Sequence, residues 1–342
     1  MLFSPKPINQ KLQKYNLRRN LLFDLWAVLL ILIISLSLFF VFDRQNIIDW
    51  WKLMGYKPPV AVANLATEDT MNNYTRRMFY LNKPMLLPTV KSFRKYCPEN
   101  ASDIILGCYH TGQNGIFIYA VQDPTLAGVQ QVTAAHEVLH AVYARLSNSA
   151  RNKLNSELES YYKHGLNNPR VEQEIKLYQQ TEPGAVFNEM SCTFGTEIAN
   201  LPTALNNYYK QFFTNRQVIV HYEEQYQSEF TSRENIINQY DSRLSSLKQQ
   251  INSATANISS LLNQINSENA ILNSEANSNV VAYNNAVPGY NQLVNEYNND
   301  VDTAKNLINS YNQLVGIRNK IAGELDTLDK ALNTRLTTAS IR

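Results

Sequence analysis

The sequence predicts an α+β protein: a small sheet packed with helices, preceded by a membrane-spanning helix and followed by a long helical coiled coil. Three observations predict it. Short β-branched and aromatic runs bounded by Pro, Asn and Gly crowd the region from 61 to 125. From 126 to 213, apolar residues recur at helical spacing, punctuated by Gly165, Glu182-Pro183-Gly184 and Pro202. From 231 onward the apolar period becomes seven. The implied divisions are a basic cytoplasmic tail at 1–20, an anchor at 21–42, a juxtamembrane stalk at 43–60, a mixed domain at 61–230 and coiled-coil helices at 231–342.

The anchor is read from Leu25 to Phe42, 18 residues without a charge. As a helix they would span about 27 Å, close to the hydrocarbon thickness of a bilayer. Lys6, Lys11, Lys14, Arg18 and Arg19 precede the run, and Asp43 follows it. The positive-inside rule then puts the N-terminus in the cytoplasm and the rest of the chain outside, as a single-pass protein of the cell membrane. Trp26, Trp50 and Trp51 flank the run, as interfacial rings do. A cleaved signal peptide is the rival reading, but Phe42-Asp43-Arg44-Gln45 offers no small-residue cleavage site.

Within 61–125, Met78-Phe79-Tyr80-Leu81, Ile104 to Tyr109 and Gly115 to Val121 read as strands, the last most clearly. Cys97 and Cys108 frame a short loop that a disulfide could close, at a gain of roughly 3 kcal/mol on the chain-entropy model. Two separate buried thiols are the alternative, and Cys192 is left over. Helices are expected over about 126–147, 149–163, 169–180 and 185–199, with a fifth opened by Pro202.

The C-terminal third carries two a/d seams. Ile237, Leu244, Ile251, Ile258, Ile265 and Leu272 form one, with Tyr240, Leu247, Ala254 and Leu261 interleaved. Val287, Val294, Val301, Ile308 and Val315 form the other, with Tyr290, Tyr297, Ala304 and Tyr311. Pro288-Gly289 and the asparagines 277, 279 and 284 mark a break between them. Two helices of similar length so joined can fold back as a hairpin or self-associate with other copies. Neither has the basic face that membrane-surface binding favours.

The chemistry sits in His136-Glu137-Val138-Leu139-His140. The chain has only five histidines, and two of them stand four residues apart, on one helix face. Such a pair can bind one Zn²⁺ through neutral ring nitrogens, with Glu137 free to act as general base. Val132 to Ala135 before the motif and Ala141 to Ala144 after it are uncharged and small or apolar, as in a buried helix. The alternative is a solvated surface helix, which should be more charged. A net charge of +2 with no basic stripe gives no case for nucleic-acid binding.

A catalytic zinc needs a third protein ligand. Glu189, 49 residues beyond His140 on the 185–199 helix, is the favoured candidate. Glu197 is the alternative, because it lies within the apolar face of Val186, Met190, Phe194 and Ile198 and needs a partner there. Cys192, Glu182, His110 and His164 are further candidates, although Cys192 suits a small buried role better.

On these residues the region from roughly 75 to 200 resembles the zincin metallopeptidases, of the gluzincin type with two histidines and a distal glutamate. Thr133 to Val142 is similar to their extended motif, and Asn188-Glu189 to their glutamate helix. Two departures stand out: Thr193 occupies the place of an acid four residues after the glutamate, and the glutamate lies farther from the second histidine. The bridging glycine and third histidine of metzincins are absent, Arg145 and Leu146 standing there instead. The resemblance implies a zincin-like domain and a zinc endopeptidase of peptide or protein substrates, with Glu137 catalytic and His136, His140 and Glu189 on the metal. It also implies an edge strand at Gly115–Val121 holding the substrate backbone, and an oxyanion donor among His164, Tyr161, Tyr162 and Tyr178. A competing expectation is a non-catalytic binding or structural protein with a structural or relic zinc site.

Overall fold

The computed structural model describes residues 10–98, 104–111 and 115–335. Among the described residues helix dominates, with one three-stranded sheet, an arrangement compatible with the α+β class.

The first helix, α1 (Gln10–Leu53), runs unbroken through the expected anchor and most of the expected stalk. The anchor itself is overturned. Among the described residues no helix is long and apolar enough to cross a membrane. The charge-free stretch is at the short end of what a span needs, and it carries Ser35 and Ser37, whose hydroxyls turn back onto Leu32 O and Ile33 O. The single-pass localisation falls with it. What the end of α1 does is dock. Asp49, only 2% exposed, accepts a two-pronged contact from Arg145 at 2.6 and 2.7 Å, at the C-terminus of the motif helix.

Helices α2 (Val60–Glu68) and α3 (Asn73–Leu81) follow. The strand expected at Met78–Leu81 is the last turn of α3. Asn72 caps that helix by accepting from Thr75 N, and Thr75, Met78, Phe79 and Leu81 are buried at helical spacing. Strand β1 (Met85–Leu87), helix α4 (Val90–Tyr96), β2 (Gly107–His110) and β3 (Gly115–Tyr119) complete this half. The strand order is β1-β3-β2, with β1 parallel and β2 antiparallel to β3. The expected edge strand, β3, is therefore the central one. Its run of aromatic and β-branched side chains reflects burial on a strand paired along both sides, and β2 is the edge beside the motif helix. Cys97 and Cys108 do form a disulfide, with Cα atoms 6.0 Å apart, tying α4 to β2.

Five helices build the other half: α5 (Val129–Ala144), α6 (Asn148–His164), α7 (Pro169–Thr181), α8 (Val186–Glu197) and α9 (Thr203–Tyr209). Helix α5 lies at the centre, buried on nearly all sides. Helix α8 crosses it closely because Gly195 has no side chain. A Cβ there would stand 2.6 Å from both Leu139 Cδ1 and Tyr209 Cε1. The orphan carbonyls at the end of α8 are met by the buried guanidinium of Arg216, which donates to Ile198 O at 2.7 Å and Ala199 O at 2.8 Å.

Two long helices follow, α10 (Gln217–Glu275) and α11 (Val280–Leu332), packed along each other as a hairpin. The turn, at 276–279, falls on the first two asparagines of the expected break rather than on Pro288-Gly289. Asn279 caps α11 by accepting from Ala282 N, and Pro288 lies inside the helix. Most predicted seam positions are half-buried in the pairing, but Ile308 is exposed and Leu307 takes the inward place. Helix α10 also begins 14 residues before 231 and belongs to the domain core through Ile219, Val220 and Glu223.

Candidate metal centre

His136 and His140 stand one turn apart on α5, their ring centroids 4.9 Å from each other. Glu189 enters from the first turn of α8, carried there by the close crossing at Gly195. One carboxylate oxygen lies 3.5 Å from His136 Nε2, the other 3.7 Å from His140 Nε2. Donors each roughly 2.0–2.1 Å from a tetrahedral Zn²⁺ would be about 3.4 Å apart; each histidine lies near that distance from Glu189, though through a different carboxylate oxygen. Cys192, one turn after Glu189, is drawn in as well, with ligand atoms of His136, His140 and Cys192 all within 4.8 Å of one another. The nearer contacts belong to Glu189. Burial holds the Cys192 thiol well above its ordinary value, as a neutral group.

The electrostatics are those of a tight cluster. Burial acts to lower the His136 pKa but is outweighed by the hydrogen bond to Glu189 and the charges of Glu137, Glu189 and Glu197, which lift it to about 9. Burial pulls His140 below its ordinary value, reinforced by His136 and opposed by Glu189. Burial pushes Glu189 up, but His140, the hydrogen bond and charge of His136, and a hydrogen bond from Tyr178 on α7 together bring it down, so it is the anionic member. The Tyr178 hydroxyl is itself raised by burial and by Glu189, and stays a donor.

Glu137 is 5% exposed, and its Oε2 has no hydrogen-bond partner. Burial, with help from Glu189 and against His136, raises it to about 8. A buried acceptor that the protein does not satisfy is costly, and at this position it fits a group that takes up a proton. Strand β2 lies directly over it. At Gly107 a Cβ would collide with Glu137 Oε1 and stand 2.7 Å from Glu137 Cγ. Two residues on, the ring of Tyr109 lies parallel to that of His140 at 6.4 Å.

The other candidates stand elsewhere. Glu197 is held by Arg170 at 2.6 Å, in a group with Glu223 and Glu174. It acts on His136 through its charge. In that group Glu174 and Glu223 are each raised to about 7, chiefly by burial and then by Glu197. His110 meets Tyr96 O at 2.7 Å, and His164 and Glu182 are exposed. Of the four suggested oxyanion donors, Tyr178 meets Glu189, whereas Tyr161 donates to Asn200 O. Cys192, a candidate that the sequence ranked below the carboxylates, stands in the cluster, whereas β2 as the strand over Glu137 was not foreseen. A glycine inside a β-branched and aromatic run was a signal for the latter, since it marks close backbone approach.

Comparison with family models, with curated proteins and with solved structures returns no match for this chain.

Proposed function

We propose that the chain is a zinc-dependent endopeptidase acting on peptide or protein substrates. The observation that carries this reading is the convergence of His136, His140 and Glu189 at ligand spacing beside a buried, unsatisfied Glu137. The likeness of Thr133 to Val142 and of Asn188-Glu189 to gluzincin motifs supports it from the sequence side. His136, His140 and Glu189 would hold the metal. When bound, Zn²⁺ supplies Lewis acidity, lowering the pKa of water and polarising the scissile carbonyl.

The protein's own groups supply the rest. Glu137, held as the carboxylate by the charge of the ion when one is bound, would take the proton from the attacking water at its Oε2 and return it to the leaving amine. The Tyr178 hydroxyl, protonated, would turn its one proton from Glu189 to the oxyanion that develops on the carbonyl once Glu189 is engaged by the metal. An extended peptide adds to the edge of β2 away from β3 by main-chain hydrogen bonds, which lays its backbone across Glu137. This moves the substrate-holding role from Gly115–Val121 to Gly107–His110.

The test is Glu137→Gln in the full chain, assayed on an unfolded casein-type substrate. Retained metal and fold with cleavage reduced about 10²–10⁴-fold is the expected result. Cleavage at the wild-type rate would remove the enzymatic reading.

One observation favours a second reading. Cys192 lies close enough to be a fourth protein donor, and four protein donors make a closed, structural site. The chain would then be a binding or structural protein whose hairpin does the work. Cys192→Ser separates the two: an open site keeps its zinc and its turnover, whereas a closed one loses zinc.

A further inference from the structure

The far end of the hairpin returns to the strand that covers Glu137. Leu328, near the end of α11, is buried against Val121, Leu126 and Val129, the last being the first residue of the motif helix. Past the helix, Thr334 is fully buried and clasps the lead-in to β2. Its hydroxyl donates to Ile105 O at 2.7 Å and accepts from Ile105 N at 3.2 Å. The buried guanidinium of Arg94 donates through Nε to Thr334 O at 2.7 Å and through a terminal nitrogen to Cys97 O at 3.4 Å. Cys97 is joined to Cys108 on β2. A closed circuit therefore runs from the hairpin end through Thr334 to Ile105 and along β2 to Cys108, then back through Cys97 and Arg94.

Gly107, which rests on Glu137 and Thr133, lies inside that circuit, two residues from Ile105. Among the described residues β2 pairs with β3 alone, and short strands at a sheet edge are among the first segments to open locally. The clasp at Thr334 supplies the backbone partners that a second strand would otherwise provide at Ile105.

We propose that the C-terminal end of the hairpin is a clamp on the strand facing Glu137, with Thr334 and Arg94 as positioning residues, so that docking of the hairpin sets the order of the site. Its consequence for turnover rests on the peptidase reading, but the clamp can be read without it. The test uses Thr334→Val in the full chain, which removes the hydroxyl at nearly constant volume, with Thr334→Ser as the conservative rescue. Amide exchange across residues 105–110 is expected to quicken about tenfold in the valine variant, while exchange in α5 and zinc content stay at wild-type levels. On a peptide substrate KM is expected to rise more than kcat falls, because the strand that would hold the backbone loosens, and serine should restore both. If the valine variant does not fold, Arg94→Lys carries the same expectation for exchange. Unchanged exchange over 105–110 in a folded variant overturns the clamp whatever the activity. Quickened exchange in a protein that cleaves nothing keeps the clamp and removes the peptidase reading.

Discussion

Replacing Gly107 with alanine tests the packing of β2 on the general base. The new Cβ would stand 2.6 Å from Thr133 Cγ2 and 2.7 Å from Glu137 Cγ, besides striking Glu137 Oε1. Ordinary contact begins near 3.4 Å, so strand and helix must part by about 0.8 Å, or Glu137 must leave its rotamer. Overpacking of this kind costs about 1–3 kcal/mol. Displacement of a catalytic group by about 1 Å costs on the order of 10²-fold in rate. Gly107→Ala should therefore lower stability by about 2 kcal/mol in urea unfolding, and lower kcat/KM on a peptide substrate about 10²-fold with zinc retained. Gly316→Ala is the control. Nothing lies within 4 Å of a Cβ there, inside α11, so it should stabilise the chain by about 0.8 kcal/mol. A Gly107→Ala protein with wild-type stability and turnover would refute the placement of β2 on Glu137.

Three further outcomes are expected. Asp49→Asn breaks the buried pair with Arg145 that pins α1 to the end of α5, and should cost about 3 kcal/mol in chemical denaturation. Asp69 is fully buried with both carboxylate oxygens unpartnered, and burial, then Glu68, raises it well above 3.8. The folded state therefore holds a proton that the unfolded state has released, and Asp69 makes stability fall as pH rises from near 3.8 toward the raised value. Asp69→Asn should raise the melting temperature at neutral pH and flatten that slope, while an unchanged slope would contradict the burial of this group. Glu197→Gln, freed from Arg170, should leave zinc bound, because Glu197 reaches the histidines only by its charge; loss of zinc would restore it as a ligand.

Much of this was legible in the sequence, for reasons that can be located. Helices α5 to α9 were marked by punctuation with fixed backbone meaning, such as Asn168 before Pro169 and Pro202 before the helix it opens. The hairpin seams followed from a period that one-sided burial enforces. The histidine pair was legible because four-residue spacing fixes a face, and Glu189 because it sits at a helix edge. What failed was decided by tertiary context. Met78–Leu81 has strand composition, yet the Asn72 cap and four inward side chains made it helix. Gly115–Val121 reads as a strand at any position in a sheet, and only pairing could show it central. Leu25–Phe42 has the composition of a span, but composition does not decide what a 44-residue helix does. Thr334 and Ile105 are 229 residues apart, and no local pattern joins them.

The most direct measurement is the metal content of the purified full chain beside Glu189→Ala. About one zinc per wild-type chain and none in the variant is the predicted result. A wild-type chain that binds no zinc, or a variant that holds it as tightly, would contradict the account at its base.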